Sequence, residues 1–339
     1  TVLEQEEEWT KVLTADGYIG YMKSKKLSDS YEEQVTSDFR AAEYTSIHKD
    51  YDMNLLWHQV TSQDSNDALA ADIQDVKGVN VISPTWFSIS SNDGDISSLA
   101  SSDYVDTAHQ NDMEVWGLMD NSSTDIDTDT VLGTTRENLE GQLITEALNY
   151  QLDGINIDIE SLPEETSESY VQFMRELSVK CRNNNLVLSV DVPSPYSFNE
   201  HYSQKELGEV VDYVIIMGYD EHFAGSYEAG SVASYNYVKE GIEETLRDVP
   251  ADKVINAVPF YTRLWNETPK TDEERAEDQG TEAESYSMKV TSEALGMEEA
   301  AQRVSEAGAT VTWDDTAKQN YAEWQGDNDS TYRIWLEDA

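Results

Sequence analysis

Residues 152–162 read LDGINIDIESL, and this stretch decides the fold. Apolar and polar residues alternate through it, with three isoleucines on one parity and three polar residues on the other: Asn156, Asp158 and Glu160. Alternation with a period of two is typical of a β-strand. Side chains two residues apart in a strand lie on one face, about 6.6 Å from each other. The stretch therefore predicts a strand with one polar, largely acidic face.

Similar strand-like segments recur from about residue 50 onward, rich in Val and Ile and bounded by Gly, Asp, Asn or Pro. They lie at 53–60, 78–86, 113–120, 153–160, 186–193, 212–220 and 253–261. Amphipathic helical segments separate several of them, at 134–150, 167–183 and 236–248, with a weaker one within 87–112. Strands that alternate with helices favour a parallel sheet covered by helices.

We predict an α/β fold over residues 46–339, a TIM-type (β/α)8 barrel, with an open doubly wound sheet as the alternative. Seven of the eight barrel strands are countable. Residues 266–339 hold an acidic stretch at 266–285 and two β-like pieces at 309–315 and 331–338, neither of which follows a helix. We therefore interpret 266–339 as a β-rich insertion after the seventh strand, and we expect the eighth strand beyond Ala339.

The first 45 residues differ from the rest of the chain. They suggest two or three short strands with a DG turn at 16–17, and they hold the only locally basic stretch, at 23–26. We interpret residues 1–45 as the end of a small β module followed by a linker through 28–38.

The charge of the chain excludes whole classes of partner. There are 68 Asp plus Glu against 22 Lys plus Arg, a net charge of −46. Nucleic-acid binding needs a basic footprint, and so does attachment to anionic membranes. A solvated acidic surface of a secreted protein and adaptation to high salt both fit this charge. No apolar run approaches a membrane span, so we expect no membrane insertion, and we expect a monomer.

Metal and redox motifs are missing from the sequence. The five histidines are scattered, and there is no CxxC, HExxH or glycine-rich phosphate loop. We expect neither a metal nor a cofactor. The single cysteine, Cys181, continues a helical stripe with Tyr170, Met174 and Leu177, which indicates a core residue rather than a nucleophile.

The polar face of the opening stretch has one favourable place in such a fold. Parallel strands are covered on both faces, and polar groups turned toward the helix layer would be costly. They can face the barrel interior and climb toward the carboxyl-end mouth, where active sites lie in barrels. Glu160 at the rim above Asp158 is a general-acid arrangement, and we expect partial burial and the neighbouring carboxylate to keep a proton on Glu160. Asp153 has the opposite parity, so we expect a structural role for it.

At this point a family resemblance becomes specific. DGINIDIE (153–160) resembles the DxxDxDxE signature on the fourth barrel strand of glycoside hydrolase family 18, the chitinase-like enzymes. IIMGYDEH (215–222) resembles the family's Met-x-Tyr-Asp, and AVPFYTRLW (257–265) is similar to its Pro-Phe-Tyr-Gly-Arg region, with Thr262 where Gly is usual. VISPTWFSI (81–89) and YRIWLED (332–338) suggest the bacterial cell-wall and spore-cortex branch. Residues 1–30 resemble the end of a bacterial SH3-type wall-binding module.

The resemblance implies roles for individual residues. Glu160 matches the general acid, Asp158 the residue that orients the substrate's 2-acetamido group, and Tyr219 the tyrosine that holds the acetamido carbonyl. Asn156 stands where many members have an Asp that shares a proton with the middle acid. An amide there can hydrogen-bond Asp158 but cannot take up a negative charge. The tryptophan that the family carries on its eighth strand is not identifiable.

Further residues are candidates for substrate binding. Met217 and Asp220 match pocket-lining positions of the family. Trp86 and Tyr261 are candidates for stacking on a sugar ring, with Trp86 preferred because it ends a strand segment; Trp116 is a weaker one. Arg263 either hydrogen-bonds a sugar or pairs with an acid. Other tryptophans fit the wall of a cleft or the core: Trp265, Trp313 and Trp335.

The family mechanism is substrate-assisted and retains the anomeric configuration, because the substrate's own acetamido oxygen attacks the anomeric carbon. The resemblance therefore implies cleavage of β-1,4-linked N-acetylglucosamine in chitin, peptidoglycan or a related glycan. It also implies an extracellular or cell-wall location. The alternative is a catalytically silent, lectin-like glycan-binding member of the same fold. Asp158 and Glu160 are both present, which favours the enzyme.

Overall fold

The computed structural model describes residues 1–29, 45–122, 126–327 and 329–337, which fall into two compact units. The first unit is an antiparallel sheet of β1 (Val2–Gln5), β2 (Trp9–Leu13) and β3 (Ile19–Lys23), in that order. The predicted DG turn joins β2 to β3, with Gly17 at φ +89°, a backbone conformation that favours glycine. The predicted linker at 28–38 lies outside the described residues from residue 30 onward.

The second unit begins with alternating strands and helices. Its first eight strands are β4 (Leu55–His58), β5 (Val81–Ile89), β6 (Ile96–Ser98), β7 (Glu114–Asp120), β8 (Gly154–Asp158), β9 (Val187–Pro193), β10 (Tyr213–Met217) and β11 (Val254–Ala257). The helices among them are α1 (Leu69–Asp72), α2 (Ser102–Gln110), α3 (Thr128–Gly133), α4 (Arg136–Asn149), α5 (Ser167–Asn183), α6 (Gln204–Val210) and α7 (Tyr235–Thr245). Each of the seven predicted strands is therefore present.

Within the described residues, seven of these strands form one parallel sheet in the order β11-β10-β9-β8-β7-β5-β4, and the short β6 pairs antiparallel with β5. The sheet is curled like a barrel wall. One apolar cluster joins inward side chains from both of its edge strands and from strands between them: Leu55, Val81, Trp116, Val187, Tyr213 and Ile255. This confirms the barrel-type α/β prediction over the open doubly wound sheet.

The opposite face of the sheet packs against the helices. Ile155 and Ile157 of β8 and the following Ile159 are fully buried in the main core cluster, on the parity that the sequence predicted. Helix α5 covers this face with Tyr170, Met174, Leu177 and Cys181, all buried. Cys181 is therefore a core residue, as predicted, and burial raises the pKa of its thiol.

A second sheet follows β11. It consists of β12 (Tyr261–Pro269), β13 (Met288–Gly296), β14 (Thr312–Asp314), β15 (Gln319–Gln325) and β16 (Thr331–Leu336), antiparallel in the order β13-β12-β16-β15-β14. It carries α8 (Asp272–Glu277) and α9 (Met297–Glu306), and the apolar side of α9 packs on its core. The β-rich segment predicted after the seventh strand is present as this sheet; its interpretation as an insertion before an eighth barrel strand stays a prediction.

The predicted boundary between the two sheets lies too far along the chain. The sequence placed the seventh strand over 253–261, but β11 ends at Ala257 and Tyr261 already belongs to β12. Pro259 has no N–H for a sheet ladder, which accounts for a break at this point. In the described residues no helix is long and apolar enough to cross a membrane.

Candidate active site

The polar face of β8 climbs from the interior of the curled sheet to its carboxyl-end rim. Asn156 pairs in register with Leu118 of β7 and is fully buried, whereas Asp158 pairs with Asp120 and is partly buried. Glu160 follows two residues after Asp158 and is exposed. The three side chains therefore run from core to solvent, as the alternation predicted.

Glu160 is held through its main chain. Its N–H donates to Oδ1 of Asn121 at 2.9 Å, and its carbonyl accepts from Nδ2 of the same amide at 2.9 Å. Asn121 directly follows β7, so one side chain fixes the rim residue of the next strand. The expectation that Glu160 is partly buried was wrong: β8 ends at Asp158, and the acid stands beyond it.

Asp158 is the carboxyl of this face that burial affects most directly. Burial, and then the charges of Glu160 and Asp120, raise the pKa of Asp158 to about 7. Asp120 is itself fixed, because its Oδ2 accepts from Ser88 Oγ at 3.1 Å and its Oδ1 from the Ser122 N–H at 2.9 Å. Asp158 therefore keeps its proton to a higher pH than an ordinary aspartate does.

A further carboxyl lies beside this face, on β9. Asp191 is 1% exposed, and its Oδ2 accepts a hydrogen bond of 2.6 Å from Nδ2 of Asn156. Burial, and then the charge of Asp158, raise the pKa of Asp191 well above its ordinary value. The interior of the sheet therefore contains a carboxyl–amide pair directly below the two acids of the rim.

Tyr219 follows β10 and contacts two other rings. It meets Trp57 of β4 edge-on, with centroids 6.2 Å apart, and Tyr261 of β12 with centroids 6.4 Å apart. Burial, together with the charges of Asp191 and Asp158, raises the pKa of Tyr219 well above its ordinary range. Its phenol is therefore a neutral group near the acids that can donate a hydrogen bond. Trp57 belongs to the edge strand β4, so this contact shows the curl of the sheet at its carboxyl end.

The other binding candidates lie at the end of β10, directly after Tyr219 and on β12. Asp220 has a left-handed backbone, φ +58°, and its Oδ1 accepts from the Tyr261 hydroxyl at 2.6 Å. Met217 ends β10, in register with Ala257 of β11. Arg263 lies on β12, and its Nη1 donates to Ser292 Oγ at 3.2 Å; in the described residues it has no ion pair. The alternative of an acid partner for Arg263 therefore finds no support.

Two predicted sugar-stacking tryptophans are core residues. Trp86 is 1% exposed, donates from Nε1 to Asn66 Oδ1 at 2.8 Å and packs edge-on against Tyr104. The pairing of β5 with β7 shifts register between Thr85 and Phe87, so Trp86 is the extra residue of a bulge, and simple alternation fails there. Trp116 is fully buried and stacks on Tyr213 inside the sheet. Neither indole can offer its face to a sugar.

Thr262, which stands where the third motif usually has Gly, makes a hydrogen bond that glycine cannot make. Thr262 is buried in β12, and its hydroxyl donates to the carbonyl of Trp335 on β16. It thereby adds a bond between two strands of the second sheet. Trp265 is also buried there and donates to Gly230, whereas Trp313 is exposed.

The arrangement is suited to acid catalysis beside a neutral hydroxyl donor: one exposed carboxyl, one partly buried carboxyl with a raised pKa below it, and Tyr219 opposite. The family model described as glycosyl hydrolases family 18 matches residues 86–337. The chain belongs to glycosyl hydrolase family 18. Family 18 is a family of glycosidases, and the strand that carries Asp158 and Glu160 lies within the match.

Two of the named relatives of this family 18 chain come from Bacillus subtilis (strain 168). The uncharacterized glycosylase YvbX is 31% identical over 139 residues, 39% of this chain and 40% of that protein. A cortical fragment-lytic enzyme is 24% identical over 212 residues, 61% of this chain and 45% of that protein. The chain thus spans less than half the length of these two relatives.

Solved structures share the fold. A chitinase from Chromobacterium violaceum superposes with a TM-score of 0.69 at 18% identity, over 84% of this chain and 86% of that one. At this identity the similarity concerns the fold of the family 18 domain.

Sequence reasoning missed several residues of this family 18 site. Asp191 is the lone acid in the apolar segment LVLSVDVP and has the inward parity of Ser189, a signal that was available. Trp57 and Asp120 end strand segments, which is a weak signal by itself. Asn121 gave none, since its role depends on where the chain passes after β8.

Proposed function

We propose that this domain is a retaining glycoside hydrolase that cleaves β-1,4-linked N-acetylglucosamine glycans by substrate-assisted catalysis. The observation that carries the proposal is the pair of Asp158 and Glu160 on one face of β8. The lower carboxyl has its pKa raised to about 7 by burial and by its neighbours, and the upper one stands in solvent at the rim.

In the first step Glu160 gives its proton to the glycosidic oxygen as the bond from that oxygen to the anomeric carbon breaks. The acetamido carbonyl oxygen of the same sugar forms the new bond to the anomeric carbon, which gives a cyclic oxazolinium ion. Asp158, as carboxylate, accepts the acetamido N–H and faces the positive charge that develops. Tyr219 donates its hydroxyl to the acetamido carbonyl and holds it in line.

In the second step water attacks the anomeric carbon and transfers a proton to the carboxylate of Glu160. The bond to the acetamido oxygen breaks, and the acid is restored. Two inversions at one carbon retain the configuration. No enzyme nucleophile is needed, which distinguishes this scheme from the two-carboxylate mechanism.

The polymer is proposed from the relatives. One is named as a cortical fragment-lytic enzyme and a structural neighbour as a chitinase, so the candidate substrates are peptidoglycan and chitin-like glycans. We place the protein outside the cell or at the cell wall on the same ground. The SH3-type wall-binding role of the first unit, whose β2 and β3 carry exposed Trp9, Tyr21 and Met22, remains a prediction.

Turnover of chito-oligosaccharides and of purified peptidoglycan, by wild type and Glu160→Gln, tests the proposal. We expect wild-type cleavage of at least one substrate and a loss of about 10³-fold or more in the variant, because the amide has no proton to give. Equal cleavage by both proteins would refute the role of Glu160. Binding of both glycans without cleavage by wild type would favour the lectin-like alternative.

A further inference from the structure

Below the rim, the side chains of Asn156, Asp158 and Asp191 together offer more hydrogen-bond acceptors than donors. In the described residues Oδ1 of Asn156, Oδ1 of Asp158 and Oδ1 of Asp191 are buried without a partner, and the Asn156–Asp191 hydrogen bond joins the set. A buried acceptor without a donor is costly. If both aspartates were ionised, the set would hold two negative charges and no O–H of its own. A proton on one carboxyl removes a charge and creates a donor for a neighbouring oxygen.

No base offsets this excess among the groups that act most strongly on Asp191. They come from three elements: Asp158 and Glu160 on and after β8, Tyr170 on α5, and Tyr219 after β10. Two are acids and two are phenols. The Tyr170 hydroxyl is itself buried without a partner. In the part of the chain that the structure describes, the one hydrogen bond that would stabilise an anion at Asp191 comes from the Asn156 amide.

We propose that Asp191 holds a proton in the resting protein and acts as the second carboxyl of a proton-sharing pair with Asp158, linked to β8 through Asn156. Asp191 lies too deep to touch the sugar and is a positioning residue. Because Asp191 keeps its proton, Asp158 is the member of the pair that ionises. Ionised Asp158 then accepts the acetamido N–H. This inference rests on the proposed function for its catalytic consequence, but not for the protonation itself.

The proposal accounts for the amide at position 156. An acid there would add a third carboxyl to the buried Asp158 and Asp191. The asparagine instead donates its N–H to Asp191 and supplies no charge. The second carboxyl of the pair therefore lies on the neighbouring strand β9 and not on β8.

Protonation of Asp191 is tested without any substrate. The thermal midpoint of wild type and Asp191→Asn is measured from pH 4 to pH 8, with the exposed Asp315→Asn as control. A carboxyl whose pKa is raised by folding contributes stability at low pH that is lost as the pH rises. We therefore expect the thermal midpoint of Asp191→Asn to rise relative to that of wild type as the pH rises. The thermal midpoint of Asp315→Asn should show no such trend. The proposal is overturned if the difference in thermal midpoint between Asp191→Asn and wild type is constant with pH, or if the midpoint of Asp191→Asn falls relative to that of wild type as the pH rises.

The partnership with Asp158 is tested by exchanging amide and acid across their hydrogen bond. Asn156→Asp alone should lower kcat/KM at pH 7 by about tenfold, the effect of one pKa unit on Asp158. Adding Asp191→Asn restores a single carboxyl beside Asp158 and should recover most of that loss. Full activity of Asn156→Asp, or no recovery in the double variant, contradicts the pairing. Should wild type cleave nothing, the proposed function fails, while the thermal comparison still decides the state of Asp191.

Discussion

The side-chain amide of Asn121 makes two hydrogen bonds to the main chain of Glu160, one as acceptor and one as donor, both 2.9 Å long. It pairs with this residue as another strand would. Because β8 ends at Asp158, Glu160 has no ladder partner of its own on the side of β7. The clamp therefore positions the proposed general acid although its side chain stands in solvent.

Asn121→Ala should displace the acid more than it destabilises the protein. Loss of two partly exposed hydrogen bonds costs about 1–2 kcal/mol of unfolding free energy. We expect kcat to fall by about 10- to 100-fold, since small misplacements of a catalytic group are expensive. The control is Asn184→Ala, which loses an exposed hydrogen bond from the side-chain amide to the Lys180 carbonyl at the end of α5. An equal loss of kcat in both variants would contradict the positioning role.

The acidic limb of kcat/KM should report the ionisation of Asp158, because the proposed mechanism uses Asp158 as a carboxylate. Burial, and then the charges of Glu160 and Asp120, raise the pKa of Asp158 to about 7, so we expect activity to rise with pH through about that value as Asp158 ionises. Removing one of these charges with Asp120→Asn should move the acidic midpoint to lower pH by up to about one unit. An unchanged midpoint in that variant, when compared with Asp315→Asn, would show that Asp120 does not act on Asp158.

Asp153, the first acid of the signature, should matter for stability alone. Its Oδ2 accepts from the Val115 N–H at 2.8 Å and lies 2.8 Å from Nε2 of His109, on the helix-covered side of the sheet. Asp153→Ala should lower the free energy of unfolding by about 1–3 kcal/mol and leave the pH profile of kcat/KM in place. Denaturant unfolding and a pH–rate series check the two statements, and a shifted pH profile would disprove the separation.

Trp86 should behave as a core residue as well. Trp86→Phe loses the hydrogen bond to Asn66 and leaves a small cavity, at a cost of about 2 kcal/mol. KM for oligosaccharides should stay unchanged, because the ring is covered by Phe87 and Tyr104. A several-fold rise in KM without a loss of stability would restore the stacking role that its position in the sequence suggested.

The sequence was most informative where one physical rule acts alone. Period-two alternation located β8 and the order of its polar side chains, and the spacing of apolar residues located α5 with Cys181 in the core. Alternation failed at Trp86, where a bulge adds a residue to β5, and at Glu160, where the strand ends first. Both events depend on pairing with β7, which a local pattern does not contain.

Contacts between distant elements were beyond local patterns. The bond of Asn156 to Asp191 depends on the register of β8 and β9, and the contact of Trp57 with Tyr219 depends on the curl of the whole sheet. The family resemblance supplied roles for β8, but its pattern contains no acid at Asp191. The early start of the second sheet at Tyr261 likewise follows from a break near Pro259 that the apolar run concealed.

Substrate-assisted catalysis is tested most directly by kcat/KM of the wild-type protein on a matched pair of oligosaccharides. The two differ only at the sugar whose glycosidic bond is cleaved, which carries an acetamido group in one and a free amine in the other. Without the acetamido oxygen there is no internal nucleophile, and Asp158 and Tyr219 lose their partners. We predict cleavage of the N-acetylated substrate and a loss of about 10³-fold or more for the amine. Comparable rates on both would contradict substrate-assisted catalysis at this site.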